Sequence, residues 1–346
     1  MATELLLDRT EDSSQRFLKK FVKRLLPESF SQKENFKSFI YCVLNLGVII
    51  SLGNIAWNLG RIDFYILAFF IVGARAQALY ILQHECMHWL LFSNRKLNDF
   101  FGMLISGSIG TVLLTGRVYH FKHHRELGQL SDPNEIFHGT SDKMPGAQAL
   151  KYFASQLLGG RIFRSLVGIL FKSEKGNKNS NLSVIDKMKK DLVAICVCQS
   201  IILIIFLTFS SFWAYVLLFL LPIVTLTAFF ETVRSFSEHV LPSGCSNNPA
   251  EELRLFYMKS NFVETFFISQ FNFNYHHLHH TYPNVVTFKL KKLHNFLQEN
   301  DREYSSSYVE RPSYLGVMFN YILNRDFSGH GLNYPFRNPK FKEETT

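Results

Sequence analysis

Four stretches of this 346-residue chain stay apolar for long enough to cross a bilayer: Phe39–Trp57, Phe64–Leu82, Leu192–Phe209 and Phe212–Phe230. A bilayer core takes about 17 to 25 helical residues, so each stretch predicts a membrane-spanning helix. The last two contain no charged residue and are separated only by Ser210-Ser211, which predicts a tight helical hairpin. Three further apolar stretches are interrupted. Phe100–Leu114 is short and carries Gly102, Gly107 and Gly110; Ala147–Phe171 holds Lys151, Arg161 and Arg164; Phe262–Phe273 includes Glu264. These fit interfacial or re-entrant helices better than crossings.

Ahead of the first run, Phe17, Leu18, Phe21, Val22, Leu25 and Leu26 recur with helical period against Arg16, Lys19, Lys20, Lys23 and Arg24. That pattern predicts an amphipathic helix lying on a membrane surface. Between the second and third runs, Lys172–Ser183 reads as a flexible polar loop. The predicted fold class is therefore an all-α membrane protein: four transmembrane helices with a cytosolic helical cap and interfacial helices. Residues 1–38 form the N-terminal interfacial segment, 39–297 the membrane domain and 298–346 a C-terminal cytosolic tail.

Composition agrees. The chain is 47% hydrophobic and 15% aromatic, with 35 Phe and only 19% charged residues, and the charges are bunched. A formal net charge of +9 would point to nucleic acid in a soluble protein, but no basic patch interleaved with stacking aromatics is present. Topology explains the charge instead. With both termini cytosolic, only Asn58–Asp63 and Ser210-Ser211 lie outside; subtracting Arg61 and the intramembrane Arg75 from 37 basic residues leaves 35 inside. The first 37 residues lack the apolar core of a secretory signal. The five Cys are odd in number and contain no CxxC, so neither a disulfide frame nor a zinc ribbon is implied.

Candidate chemistry lies in the histidines. Of thirteen, ten cluster near the ends of the apolar runs: His84 and His88 in "HECMH", His120, His123 and His124 in "HFKHH", His239, and His276, His277, His279 and His280 in "HHLHH". Histidines at i and i+4, or i, i+3 and i+4, share a helix face, so each cluster presents a set of metal ligands. "HECMH" alone fits the zinc protease pattern HExxH, with Glu85 as the base. That reading leaves the six HxxHH-spaced histidines of "HFKHH" and "HHLHH" unexplained and lacks a third zinc ligand. Eight or nine imidazoles exceed what one zinc takes and supply two transition metals, with iron, zinc and copper all open. Four crossings put every cluster on one face. A fifth crossing at Phe100–Leu114 would separate "HFKHH" from "HECMH" and forbid a shared site.

As a set, "HECMH", "HFKHH" and "HHLHH" resemble the three histidine boxes HxxxH, HxxHH and HxxHH of the integral-membrane fatty acid desaturase superfamily. The lead-in "ARAQALYILQHECMH" and the segments "HFKHHRELGQLSDPNE" and "YHHLHHTYPNV" are similar to the family's surroundings, from about Phe39 to about Leu297. The resemblance implies two non-haem iron ions, O2 as co-substrate and electrons from an external donor, ferredoxin or a cytochrome b5 type. It implies as metal ligands His84, His88, His120, His123, His124, His276, His279 and His280, with His239 after the fourth span as a further one. In some members an Asn one turn before that His holds a water on one iron; here the position is Ser235.

The implied reaction introduces a double bond into a long acyl chain carried by coenzyme A, acyl carrier protein or a lipid; hydroxylation on the same scaffold is the alternative. Removing hydrogen from a methylene needs an oxidant that side chains cannot supply. Glu85 and Glu238 are expected to orient imidazoles from behind. Asp132 is a third candidate for that role, but in "SDPN" it is expected to be a turn residue. His138, His277, His294 and His330 are expected to be non-ligands. Arg75, an intramembrane charge, is expected to pair with Glu231 or Asp63, to meet a substrate head group or, its lead-in resembling the family's, to serve the architecture of the fold.

Overall fold

The computed structural model describes residues 26–127, 132–134, 146–160, 178–240, 256–301, 304, 309–311 and 313–323. The predicted N-terminal amphipathic helix, His138, His330 and Cys245 lie outside them. Four helices are long and apolar enough to cross a membrane. They comprise α1 (Asn35–Leu59), α2 (Ile62–Met87), α6 (Lys178–Phe209) and α7 (Phe212–His239). Between them lie α3 (Arg95–Ser108), α4 (Leu114–Glu126) and α5 (Gly146–Leu157).

Each spanning helix outruns the apolar stretch that predicted it, because hydropathy marks the depth of hydrocarbon and not the end of the hydrogen-bonded ladder. Thus α2 carries His84 on its last turn, and α7 ends on His239. The helix α6 begins at Lys178, inside the stretch read as a loop. Gly60, in the left-handed conformation (φ 65°), stops α1, and Ser211 caps the start of α7. The two hairpin turns are tied side by side: Asn58 donates to the Phe209 carbonyl at 2.8 Å, and Ser210 donates to Asn54 at 2.6 Å. The histidine-bearing ends of α2 and α7 therefore lie at the opposite end of the bundle.

α2 and α7 approach closely where Gly73 faces Leu226; a Cβ at Gly73 would fall 2.8 Å from the Leu226 Cβ, and Thr227 donates to the Gly73 carbonyl at 2.9 Å. Above that contact α7 departs from α-helical winding, with π-helical turns at Tyr215–Leu220 and Ile223–Thr227 on either side of Pro222, whose ring removes a backbone donor.

α3 does not carry the chain to the far side. Beyond its end the chain turns at Gly110 (φ 68°), Thr111 donates to Gln83 at 2.8 Å, and Gln83 donates to the Val112 carbonyl at 2.8 Å. Gln83 is one residue before the first histidine box, so α4 starts at the level where α2 ends. The N-terminus of α4 is capped from a distance. Asp191 of α6, almost wholly buried, accepts from the amides of Leu113 at 3.1 Å, Leu114 at 2.9 Å and Thr115 at 2.8 Å. A carboxylate over three unpaired amides at a helix N-terminus satisfies them and favours the dipole. An Asp191→Ala variant is expected to lose about 2–3 kcal/mol, read as a lower thermal midpoint in detergent.

After α7 come the strands β1 (Phe256–Met258) and β2 (Val309–Arg311), paired in parallel, and the helices α8 (Phe262–Phe267), α9 (His276–Thr281), α10 (Leu290–Asn300) and α11 (Tyr314–Ile322). The stretch predicted as one interfacial helix breaks at Phe271 and Asn272, both left-handed (φ 61° and 65°). Such a conformation costs non-glycine residues of order 1–3 kcal/mol each. It redirects the chain so that α9 points its histidines at the bundle. The residues read as a C-terminal tail are not free: Tyr314, Val317, Met318 and Tyr321 of α11 pack into a core with Val233 and Phe236 of α7 and Phe153 of α5.

Candidate metal centre

Helical spacing decides where each imidazole goes. On a helix, residues i and i+4 stack one turn apart, whereas i+3 falls on the other flank of the same face. In α4, His120 and His124 accordingly join His84, His88 and His279 in one group of five. His123, between them, joins His239 and His280 in a second group. In α9 the i, i+4 pair His276 and His280 turns to that second side, and His279 turns to the first; the His276 ring lies 5.3 Å from His239 and 4.6 Å from His280. Ligand atoms lie within 4.8 Å of one another in the group of five and among His123, His239 and His280, and His276 stands within the same distance of His239 and Glu238. All nine sequence-predicted histidines are thus gathered into two adjoining clusters.

These clusters have the donor chemistry of metal sites. In the first, His88 Nε2 lies 2.6 Å from His120 Nε2 and 3.0 Å from His279 Nε2, and His120 Nε2 lies 2.9 Å from His124 Nε2. Two nitrogens on one ion, each at ~2.1 Å and at right angles, stand roughly 3.0 Å apart. Protons cannot satisfy so many converging lone pairs, because each N–H can bridge only one pair. Buried Nε2 atoms of His84, His276 and His280 have no hydrogen-bond partner among the described residues. Orphaned polar atoms in a protein interior call for a ligand. Two metal ions fit this donor set.

Electrostatics keeps the lone pairs available. Burial first, and then the neighbouring imidazoles, joined for His276 by the Arg234 guanidinium, hold His120, His124, His276, His279 and His280 well below the ordinary histidine range. Burial and then the Arg117 guanidinium push His88 down to about 3. These six imidazoles are therefore neutral at physiological pH, the form that ligates metal.

Carboxylates stand behind three of the rings. Glu85 Oε1 lies 3.1 Å from His84 Nδ1, while Oε2 accepts the Thr287 amide at 2.8 Å. Glu85 is wholly buried and engaged on both oxygens, which is the wrong setting for a base that must meet water. Glu238 Oε2 lies 2.8 Å from His276 Nδ1, within ion-pair distance but without hydrogen-bond geometry, so it neighbours this ring and does not fix a proton on it. Asp132 corrects the sequence reading. It does accept the Asn134 amide at 2.8 Å as a turn residue, but it also accepts from His123 Nδ1 at 2.9 Å and is buried. A proton fixed on Nδ1 by a carboxylate leaves Nε2 to face a metal. The turn signature of "SDPN" was legible; the histidine nine residues earlier gave no local sign of being its partner.

Glu238 is held in turn by side chains that no motif singled out. Arg234 donates to Glu238 at 2.5 Å and to Glu231 at 2.6 and 2.8 Å; Tyr314 donates to Glu238 at 2.8 Å. All are buried. The only signal in the sequence was the i, i+3, i+7 spacing of Glu231, Arg234 and Glu238 on one face of α7. Arg311, stacked 3.4 Å over Phe256, caps α7 by donating to the carbonyls of Ser237 at 2.5 Å and Val240 at 2.6 Å.

The expected pairing of Arg75 is corrected. Asp63 is bound by Arg61 at 2.7 Å, and Glu231 by Arg234; Arg75 instead donates to the Phe266 carbonyl at 2.9 Å and lies 4.4 Å over the Phe266 ring. It fastens α8 to α2, an architectural role.

The model of the fatty acid desaturase family matches residues 64–312. That interval includes every histidine of both clusters and 249 of the 346 residues (312 − 64 + 1). The chain belongs to the fatty acid desaturase family. Among curated proteins it is 25% identical over 198 residues to an omega-3 fatty acid desaturase, chloroplastic, of Ricinus communis, covering 55% of this chain and 42% of that protein. It is 26% identical over 122 residues to the sn-2 acyl-lipid omega-3 desaturase (ferredoxin), chloroplastic, of Helianthus annuus, and 27% identical over 123 residues to the Arabidopsis thaliana protein of that name. These two matches cover 35% and 36% of this chain and 27% of each relative, so the chain spans less than half the length of the curated relatives it matches.

Family membership agrees with setting aside the zinc protease pattern in "HECMH". His277 and His294 stand apart from the desaturase clusters, each within hydrogen-bond distance of the Tyr304 hydroxyl.

Proposed function

We propose that this desaturase-family protein uses O2 and two electrons to introduce a double bond into a long acyl chain. The observation that carries the reading is the convergence of nine imidazoles into two clusters, with buried Nε2 atoms of His84, His276 and His280 left without a hydrogen-bond partner among the described residues. Two iron ions would be held there, one by His84, His88, His120, His124 and His279 and the other by His123, His239, His276 and His280. The irons supply the oxidising power that removes hydrogen from an unactivated methylene. The protein's own part is to orient the imidazoles through Glu85 and Asp132, with Glu238 beside the His276 ring, and to keep water from the clusters by burial. Ser235, buried one turn before His239, is too short to do what an Asn does there in some members, so no water-mediated ligand is assigned to it.

The substrate is an acyl chain on a lipid, coenzyme A or acyl carrier protein; the acyl-lipid names of the relatives favour the lipid. The electron donor is a ferredoxin or a cytochrome b5-type protein, and the ferredoxin named for two relatives supports that class. The protein is an integral multi-pass membrane protein with its termini and metal clusters on the cytosolic side, supported by four candidate spans and by the basic residues that this orientation keeps inside.

The test is acyl-chain profiling of cells with and without expression. A new double bond is the expected result. A new hydroxyl group would make the protein an oxygenase on the same scaffold, and unchanged acyl chains in cells holding iron-loaded protein would contradict the reading.

A further inference from the structure

Beside the metal clusters lies a second group of buried titratable rings that the reaction above does not use. Tyr304 brings its hydroxyl to 2.6 Å from His294 Nδ1 and 3.0 Å from His277 Nε2. A phenol has one proton, so the closer contact is assigned as Tyr304 donating to His294, and the longer as His277 Nε2–H donating to the phenol oxygen. The His294 ring stacks on Tyr257 at 5.0 Å, and Tyr257 stacks on Tyr275 at 4.7 Å. Tyr275 directly precedes His276 in the chain, and His277 directly follows it. A set of aromatic contacts thus runs from Tyr304 through His294 and Tyr257 to Tyr275, one residue before the cluster histidine His276 in the chain. Burial pushes His294 down to about 4, leaving an imidazole that is neutral near pH 7 and able to take a proton.

We propose that Tyr304 is a redox-active side chain that surrenders one electron to the neighbouring metal centre, through Tyr257 and Tyr275, and its phenolic proton to His294 Nδ1 when that centre has been oxidised by O2 with no acyl chain bound. The proposal rests on the iron and O2 reading given above. In the step the phenolic O–H bond breaks. The proton ends on His294 as imidazolium, the metal centre is reduced by one equivalent, and Tyr304 is left as a neutral phenoxyl radical. The external donor returns the electron and His294 the proton. The consequence is protective: oxidising equivalents without a substrate are drained into one defined side chain and not into the ligand histidines.

The experiment takes full-length, iron-loaded, chemically reduced protein, mixes it with O2 without acyl substrate, and freezes it within milliseconds for electron paramagnetic resonance. An organic radical is expected in the wild type, narrowed by ring-deuterated tyrosine and lost in Tyr304→Phe, a variant that keeps the ring and its packing. The variant is expected to hold as much iron as the wild type and to be inactivated severalfold sooner during O2 exposure without substrate. A signal of equal size in Tyr304→Phe, or none in wild-type protein that holds iron and converts its acyl substrate, would overturn the proposal. Wild-type protein that binds no iron would refute the reading of the metal centre itself, and the proposal with it.

Discussion

A His279→Ala variant is expected to remain folded, to lose metal and to lose turnover together. His279 belongs to the five-histidine cluster, with its Nε2 3.0 Å from His88 Nε2, yet it arrives on α9, nearly 200 residues from the other members' first box. It is fully buried, so no solvent group can move in to replace it. Mutation of groups that merely orient a ligand costs about 10- to 100-fold in metal affinity or activity, and removal of the ligand should cost at least the upper end of that range. The same holds for His123→Ala in the second cluster. Metal analysis and thermal unfolding of the same preparation check it. Glu85→Ala leaves both imidazoles of the first box in place and is expected to reduce activity less than His84→Ala.

The second large effect is on folding. Arg234→Leu would strand Glu231 and Glu238 in a buried site, where the arginine now contacts both at 2.5–2.8 Å. Removing one partner of a buried ionic network is strongly destabilising, by about 3–5 kcal/mol, because an uncompensated charge remains in low dielectric. The variant should be recovered poorly from membranes and melt well below wild type in detergent. Adding Glu231→Gln and Glu238→Gln to it should restore part of the loss, since the stranded charges are then gone. An Arg234→Leu protein as stable as wild type would show that the network is dispensable.

The sequence carried the parts of this arrangement that depend on long, regular signals. Hydropathy over 18 or more residues marked four spans, and the i, i+3, i+4 spacing of histidines marked their shared faces. The i+3 offset also carried, unremarked, the split of the second and third boxes between two clusters. What escaped was tertiary. Asp132 had a sufficient local explanation as a turn residue, and its second role depends on α4 folding back over it. Asp191 lies 76 to 78 residues from the amides that it caps. Tyr314 and Arg311 looked like tail residues because nothing in a short C-terminal segment announces that it will pack on α7. Arg75 was sought among acidic partners, whereas a backbone carbonyl and an aromatic face satisfy it.

The most direct test of the account is the metal content of the purified, full-length protein, measured by elemental analysis against protein concentration. Close to two irons per chain is predicted, falling well below that in His123→Ala and His279→Ala. One zinc per chain, or metal content unchanged in both variants, would contradict it.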